Sequence, residues 1–358
     1  MSAVQNVAGL PVLDLSRFDK SSGEKRAFVV DLGRAARDFG FFYLSGHGID
    51  PGLIRDTLVL SRRFFDLPEA DKRAIEMVHA RHFRGYTRPG RQFARGEPDW
   101  REQLDVGGER PALPSEAIAQ PWHRLQGPNQ WPEASPELKP TLLAWQEAVT
   151  ALAIRVLRAF AAALEQPEDV FEPIHTPWPN QLTKIIRYPG RAAGEINQGA
   201  ASKFSQGVGA HKDGGFVTIL LQDSVAGLQV EGESGWIDAP PIPGTFIVNI
   251  GEILEIASNG YLRANLHRVV SPPAGGDRLS IAFFLGAHLD ARVPLLDLPP
   301  HLAAFSRGLT RDPLNPLFSE VGRNVLKGRL RSHPDVELRH HADLLDFAHS
   351  PPEQASAC

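Results

Sequence analysis

Three side chains able to hold a metal stand in the second half of the chain: His211 and Asp213, two residues apart, and His267. Arg278 and Ser280 follow as an Arg-x-Ser pair. Two imidazoles and one carboxylate on a facial triangle leave three positions free on an octahedral Fe(II), enough for a chelating co-substrate and dioxygen. With a single anionic ligand the ion keeps positive charge and attracts an α-keto acid. Arg278 would meet a carboxylate through two parallel charge-assisted hydrogen bonds, and Ser280, on the same strand face, would add a third. Tyr188 could supply its hydroxyl from a neighbouring strand, or be a half-buried sheet tyrosine.

His-x-Asp occurs four times in this chain, so the pattern needs context. In a strand, residues i and i+2 point to one face, so His211 and Asp213 can grip one ion while Lys212 points away. Gly214 and Gly215 leave room beside them. His288-Leu-Asp290 sits where the last apolar strand runs out. His333-Pro-Asp335 carries a proline suited to a helix start, and His341-Ala-Asp343 lies in a helical tail where i and i+2 diverge. None of these three has a further histidine followed by Arg-x-Ser. Without the arginine, His211 and His267 would read equally as hydrogen-bonded histidines of a β-core.

The elements that must position these residues follow from periodicity. A short β segment at Leu10–Leu15 precedes a helix over about 24–37 and a β-like run at 39–44. Pro51 opens a second helix, and a long amphipathic helix spans about 138–164, with Pro140 in its first turn. Residues 80–135 read as an irregular covering segment. From Gln181 the period becomes two, and short strands fall at 182–188, 216–222, 227–230, 236–239, 245–250, 267–271 and 279–285, with a brief helix at 252–258. Turn signals at this spacing, with thirty prolines and 32 glycines, favour a jelly roll over an open sheet. The expected fold is α+β, a double-stranded β-helix core with surrounding helices. Its segments are an N-terminal region at 1–135, a catalytic jelly roll at 136–292 and a helical tail at 293–358.

Composition narrows the partners. The apolar fraction of 42% and charged fraction of 22% are those of an ordinary globular chain. A net charge near −4 gives no electrostatic case for nucleic acid or an anionic membrane. No run approaches the roughly 20 apolar residues of a membrane helix, and the N-terminus lacks a signal-peptide pattern. Cys358 stands alone, so no disulfide forms within the chain and a reducing, cytoplasmic setting is expected. The expected partner is a small-molecule substrate, with no obligate protein partner.

At these residues the sequence resembles the isopenicillin N synthase-like family of non-haem iron, 2-oxoglutarate-dependent dioxygenases. Phe39-Gly-Phe-Phe-Tyr-Leu-Ser-Gly-His-Gly-Ile49, Phe64-Phe-Asp-Leu-Pro68 and Arg84-Gly-Tyr86 look like its N-terminal region. Ile186-Arg-Tyr-Pro189, the His211/Asp213/His267 set, Gly227-Leu-Gln-Val-Glu231 and Arg278-Leu-Ser280 look like its core. The resemblance implies Fe(II) on His211, Asp213 and His267, with 2-oxoglutarate bound to the metal and to Arg278, Ser280 and Tyr188. It further implies that O2 is consumed, succinate and CO2 are released, and a substrate C–H bond is oxidised by hydroxylation, desaturation or cyclisation. Lys212, the long Gly190–Gly209 loop and the extended tail depart from the family pattern and bear on the substrate. The alternative is an Fe(II) oxidase of the isopenicillin N synthase type, which shares these residues without consuming 2-oxoglutarate.

Substrate contacts are expected at the mouth of the barrel, where loops carry specificity. Tyr86, Arg95, Phe204 and Phe284 are the candidates, with the 80–105 loop, the Gly190–Gly209 loop and the tail. Arg84, Arg88, Arg91 and Arg95 offer cations to an acidic substrate, or form a solvated basic loop. Two other classes use the same features: a jelly-roll binding module, and a zinc hydrolase, which would need a general base that only Glu252 or Glu255 offers.

Overall fold

A computed structural model of the chain describes residues 5–94, 96–190, 206–309, 315–345 and 347. In chain order its strands are β1 (Gln5–Val7), β2 (Leu10–Asp14), β3 (Phe41–Ser45), β4 (Gly85–Thr87), β5 (Phe93–Ala94), β6 (Glu97–Pro98), β7 (Glu102–Gly107), β8 (Asn180–Pro189), β9 (Gln206–His211), β10 (Val217–Gln222), β11 (Leu228–Gly232), β12 (Gly235–Asp238), β13 (Phe246–Ile250), β14 (His267–Val270) and β15 (Asp277–Gly286). The helices are α1 (Ser22–Asp38), α2 (Pro51–Phe65), α3 (Glu69–Ala74), α4 (Leu138–Ala163), α5 (Glu252–Ala257), α6 (Pro300–Ala303), α7 (Val321–Ser332) and α8 (Pro334–His340).

Among the described residues two sheets make the jelly roll. The larger runs β1-β2-β3-β13-β10-β15-β8-β7-β4, and the smaller runs β12-β11-β14-β9. Alternation along each strand gives the larger sheet two faces. Its outer face carries Phe42, Ile185, Ile219, Phe246, Ile281 and Phe283 into the main core with α1, α2 and α4. In α4, Leu138, Leu142, Trp145, Val149, Leu152 and Val156 recur at three- and four-residue intervals and are all buried, so one apolar stripe of the helix lies along the sheet. Trp145 meets Phe246 edge-on at 5.9 Å. The inner face turns Tyr43, Ile186, Tyr188, Ile247 and Ala282 towards Val208, Leu228, Val230 and Val269 of the smaller sheet.

Helix starts follow local chemistry. Asp50 caps α2, accepting the Leu53 N–H at 2.9 Å, with Pro51 at the first helical position, where its missing N–H costs nothing.

Two expectations change. The 80–135 stretch is not merely a cover: β4 and β7 extend the main sheet, with β7 antiparallel to β8 from Glu102↔Arg187 to Gly107↔Leu182. β7 escapes a periodicity reading because both of its faces are buried while one of them is polar. The N-terminal segment also gives β1, β2 and β3 to the same sheet. Among the described residues no helix is long and apolar enough to cross a membrane.

Candidate metal centre and anion pocket

His211 ends β9 and His267 begins β14, and the antiparallel register sets the two directly opposite each other. Their rings lie 4.3 Å apart. The β9 strand stops at His211, so Asp213 does not share a strand face with it as the spacing predicts. Asp213 sits two residues into the following turn, where its carbonyl accepts the Glu252 N–H at 2.7 Å. That bond from the first residue of α5 turns the carboxylate back between the imidazoles. Asp213 Oδ1 lies 3.6 Å from His211 Nε2 and 3.6 Å from His267 Nε2. Among the described residues, this is the one group of three or more His, Cys, Asp or Glu side chains whose donor atoms gather within 4.8 Å.

The remaining atoms of the three side chains are fixed from behind. His211 Nδ1–H donates to the Gly209 carbonyl at 2.8 Å, and His267 Nδ1–H to the Asn265 carbonyl at 3.4 Å. Each imidazole therefore turns an unprotonated Nε2 towards the gap. Asp213 Oδ2 accepts Thr218 Oγ1–H at 2.6 Å and Asn249 Nδ2–H at 2.7 Å, leaving Oδ1 as the free donor. Burial, then the His267 imidazole, pushes His211 down to about 3. Burial would raise the Asp213 carboxyl, but the histidines and the Thr218 and Asn249 hydrogen bonds outweigh it and hold it below its usual range. A neutral His211 imidazole and an ionised Asp213 carboxylate are the protonation states that bind a metal.

Behind the triad, Arg278 is fully buried on the inner face. Its Nη2–H donates to Gln222 Oε1 at 2.8 Å, while Nε and Nη1 have no partner, and neither does Ser280 Oγ. Tyr188 pairs with Arg278 across β8 and β15, and the guanidinium lies 5.0 Å from its ring centroid. Glycines bring both sheets close here. A Cβ on Gly227 would stand 2.7 Å from the Val270 carbonyl and 3.2 Å from Arg278 Cδ, and one on Gly207 would stand 2.8 Å from Tyr188 Cδ1. Arg278 and Tyr188 thus reach the space enclosed by the strands of His211 and His267. Unpaired donors on a buried guanidinium are costly without a partner, and their fork matches a carboxylate. The donor set fits Fe(II), and the orphaned arginine and serine atoms fit the far carboxylate of a keto acid.

The expected substrate residues separate. Phe284 lies half-buried on the inner face, opposite Thr218. Tyr86 does not reach this space. It pairs with Leu104 on β7, so it faces the outer core, where its hydroxyl donates to Glu102 at 2.7 Å. The alternation of β4 that buries Tyr86 outward turns its neighbours Gly85 and Thr87 inward. Arg84 gives Nη1–H and Nη2–H to the His82, Phe83 and Leu125 carbonyls, its buried Nε alone being left without a partner, and Arg88 pairs with Glu76 at 2.6 Å. Neither serves as a free cation. Arg95, Phe204 and most of the Gly190–Gly209 loop lie outside the described residues. Lys212 points away from the triad, as expected, and pairs with Glu255 at 3.1 Å.

Thr218, Gln222 and Asn249 escaped the sequence reading. Each is a polar residue inside an otherwise apolar strand, and a buried polar group needs a partner; that was the available signal. The other His-x-Asp copies go elsewhere: His288 Nδ1 accepts its own Asp290 N–H, and His341 binds the Arg81 carbonyl. His333 is fully buried against Phe83.

Comparison with known proteins agrees with this geometry. Residues 10–134 match the model of the non-haem dioxygenase in morphine synthesis N-terminal family, and 181–287 that of the 2OG-Fe(II) oxygenase superfamily. The chain is 35% identical to the 2-oxoglutarate-dependent dioxygenase frbJ of Dothideomycetidae sp. (strain 11243), covering 91% of this chain and 90% of that one. It is 37% identical to the Arabidopsis thaliana homoarginine-6-hydroxylase 2-ODD-C23.1, over 81% of this chain and 88% of that one. The crystal structure of a full-length Neurospora crassa protein in complex with alpha-KG superposes with a TM-score of 0.72 at 25% identity, covering 91% of this chain and 99% of that one.

Proposed function

The chain belongs to the non-haem Fe(II), 2-oxoglutarate-dependent dioxygenase family, and from that premise we propose that it oxidises an unactivated C–H bond of a small molecule, by hydroxylation, desaturation or cyclisation, in the cytoplasm. Its cofactor is Fe(II) and its co-substrates are 2-oxoglutarate and O2. When bound, they would supply the oxidising chemistry, with 2-oxoglutarate released as succinate, which takes up one atom of O2, and carbon dioxide, and with the iron retained. His211, Asp213 and His267 hold the metal. Asn249 and Thr218 keep one carboxylate oxygen of Asp213 turned to it. Arg278, with Ser280 and Tyr188, receives the far carboxylate of 2-oxoglutarate in a buried place where a charge pair is strong. Phe284 presents an apolar wall beside this centre and, with the residues of β7 and β8, positions the carbon to be oxidised.

The observation that carries the reading is the pair of unpartnered Arg278 donors in the same inter-sheet space as the triad. Breaking such a buried charge pair costs about 3–5 kcal/mol. Arg278→Ala should therefore raise the 2-oxoglutarate requirement by about two or more orders of magnitude, with Fe(II) affinity nearly unchanged. Arg278→Lys should recover only part, since an ammonium lacks the two-pronged edge. Succinate formation is measured with and without added keto acid. Full turnover without any keto acid would return the protein to the oxidase alternative, with Arg278 holding the substrate's own carboxylate.

A further inference from the structure

The metal and keto-acid residues leave one buried polar cluster without a role. It lies on the inner face of β7 and β8, beside the site. Gly209, whose carbonyl orients His211, gives its N–H to Asp99 Oδ1 at 3.2 Å. Asp99 Oδ2 accepts Arg101 Nη2–H at 3.0 Å. Tyr188, whose ring lies 5.0 Å from the Arg278 guanidinium, is paired on the same sheet one strand away from Arg278. Further along, Asp105 accepts Gln103 Nε2–H at 2.7 Å and Arg329 Nη1–H at 2.7 Å from α7, with Lys184 Nζ at 3.3 Å. His333, just after α7, completes that end. The cluster thus spans from Gly209, beside His211, to the C-terminal helix α7.

Two features set it apart from a closed structural network. Among the described residues, Arg101, Lys184 and Arg329 face only two carboxylates, Asp99 and Asp105, so one positive charge is left over in a buried place. In addition Arg101 Nε, Gln103 Oε1 and His333 Nε2 have no hydrogen-bond partner, although all three residues are at least nine-tenths buried. Buried donors and acceptors are rarely left unmade, and a surplus buried cation is costly without an anion. Both demands are met by one ligand carrying a carboxylate for Arg101 and Lys184. Hydrogen-bonding groups beside that carboxylate would reach Gln103 and His333.

We propose that Arg101 and Lys184 form the substrate's anion site, so that the molecule oxidised is a small organic acid held by its carboxylate beside the metal centre. This rests on the dioxygenase reading above and adds to it the class of substrate. It gives the positive role that the sequence offered to the 84–95 arginines to Arg101, just before β7, and Lys184 of β8 instead.

The test uses the full chain loaded anaerobically with Fe(II) and 2-oxoglutarate, whose chelate absorbs in the visible. That band is recorded before any substrate is added. Its absence in the parent protein would refute the iron and keto-acid reading by itself, and this proposal with it. Benzoate, phenylacetate, hexanoate and the common α-amino acids are then titrated, each against its primary amide, following the shift of the band and, in air, succinate release. At least one acid should shift the band and accelerate succinate release, with its amide binding about 30-fold or more weakly. Lys184→Gln and Arg101→Gln should each weaken that acid about 30-fold or more. Lys184→Gln is the more secure variant, because Arg101→Gln leaves Asp99 unpaired next to Gly209. Thermal melting of both separates lost binding from lost fold. Equal responses to acid and amide, no response to any acid, or an unchanged acid affinity in folded Lys184→Gln would overturn the proposal and leave the cluster as a tether for α7.

Discussion

Thr218→Val tests how the carboxylate of the metal site is aimed. The two side chains have nearly the same shape, so the change removes one hydroxyl from a buried strand and little else. Asp213 Oδ2 then keeps only the Asn249 amide of its two partners, at 2.7 Å. A hydrogen bond to a charged group contributes about 1.5–3 kcal/mol. If that energy is what keeps Oδ1 turned to the gap, Fe(II) affinity should fall by about 10–150-fold. Asn249→Ala should cost a similar amount, and the double variant should lose more than either. Anaerobic titration of Fe(II) against a chromophoric chelator reads the affinity, and melting of the metal-free proteins checks the fold. Folded Thr218→Val binding Fe(II) within about twofold of the parent would refute the reasoning: the ion itself would then be orienting the carboxylate.

Gly227→Ala should destabilise the fold by about 1–3 kcal/mol, because its φ of +155° disfavours a side chain and the Val270 carbonyl occupies the space. The same Cβ presses on Arg278 Cδ, so the 2-oxoglutarate requirement should rise as well; unchanged melting and titration would count against this packing. His288→Ala and His341→Ala should keep full iron content by metal analysis, whereas His211→Ala and His267→Ala should lose it. His175, near Phe216, is pushed down to about 4 by burial, so its stabilising neutral state is fully present above the unfolded value near 6.5. That contribution is lost as pH falls from about 6.5 towards 4, amounting to about 1.4 kcal/mol at pH 5.5. In His175→Phe, acid melting curves should fall less steeply over that window.

The parts of the fold that the sequence made legible are those where a helix carries one apolar stripe or a short apolar run is bounded by turn residues. The start of α2 at Pro51, the stripe of α4 and the strands from β10 to β15 follow from such patterns to within a residue or two. β7 did not, because Gln103 and Asp105, continuing from Arg101 just before the strand, put polar groups on a buried face and erase the usual alternation. For the site, residue types and spacing named the three metal-gathering side chains and the buried arginine. They did not say how Asp213 reaches the gap, since that depends on the α5 N–H and on Thr218 and Asn249 from two other strands. Tyr86 shows the opposite error: its place in the 80–105 loop put it near the site, while its position in the pleat sends it to the other side of the sheet.

The Arg329–Asp105 pair joins residues 224 positions apart in the chain. On a ribosome adding about 5–20 residues per second, β7 is made on the order of ten seconds or more before α7. His267, the last of the three proposed ligands, also emerges before the helix that covers this end of the inner face. Every strand of the two sheets is thus synthesised before the helix that reaches Asp105, and this end of the inner face stays uncovered by α7 until Arg329 has emerged.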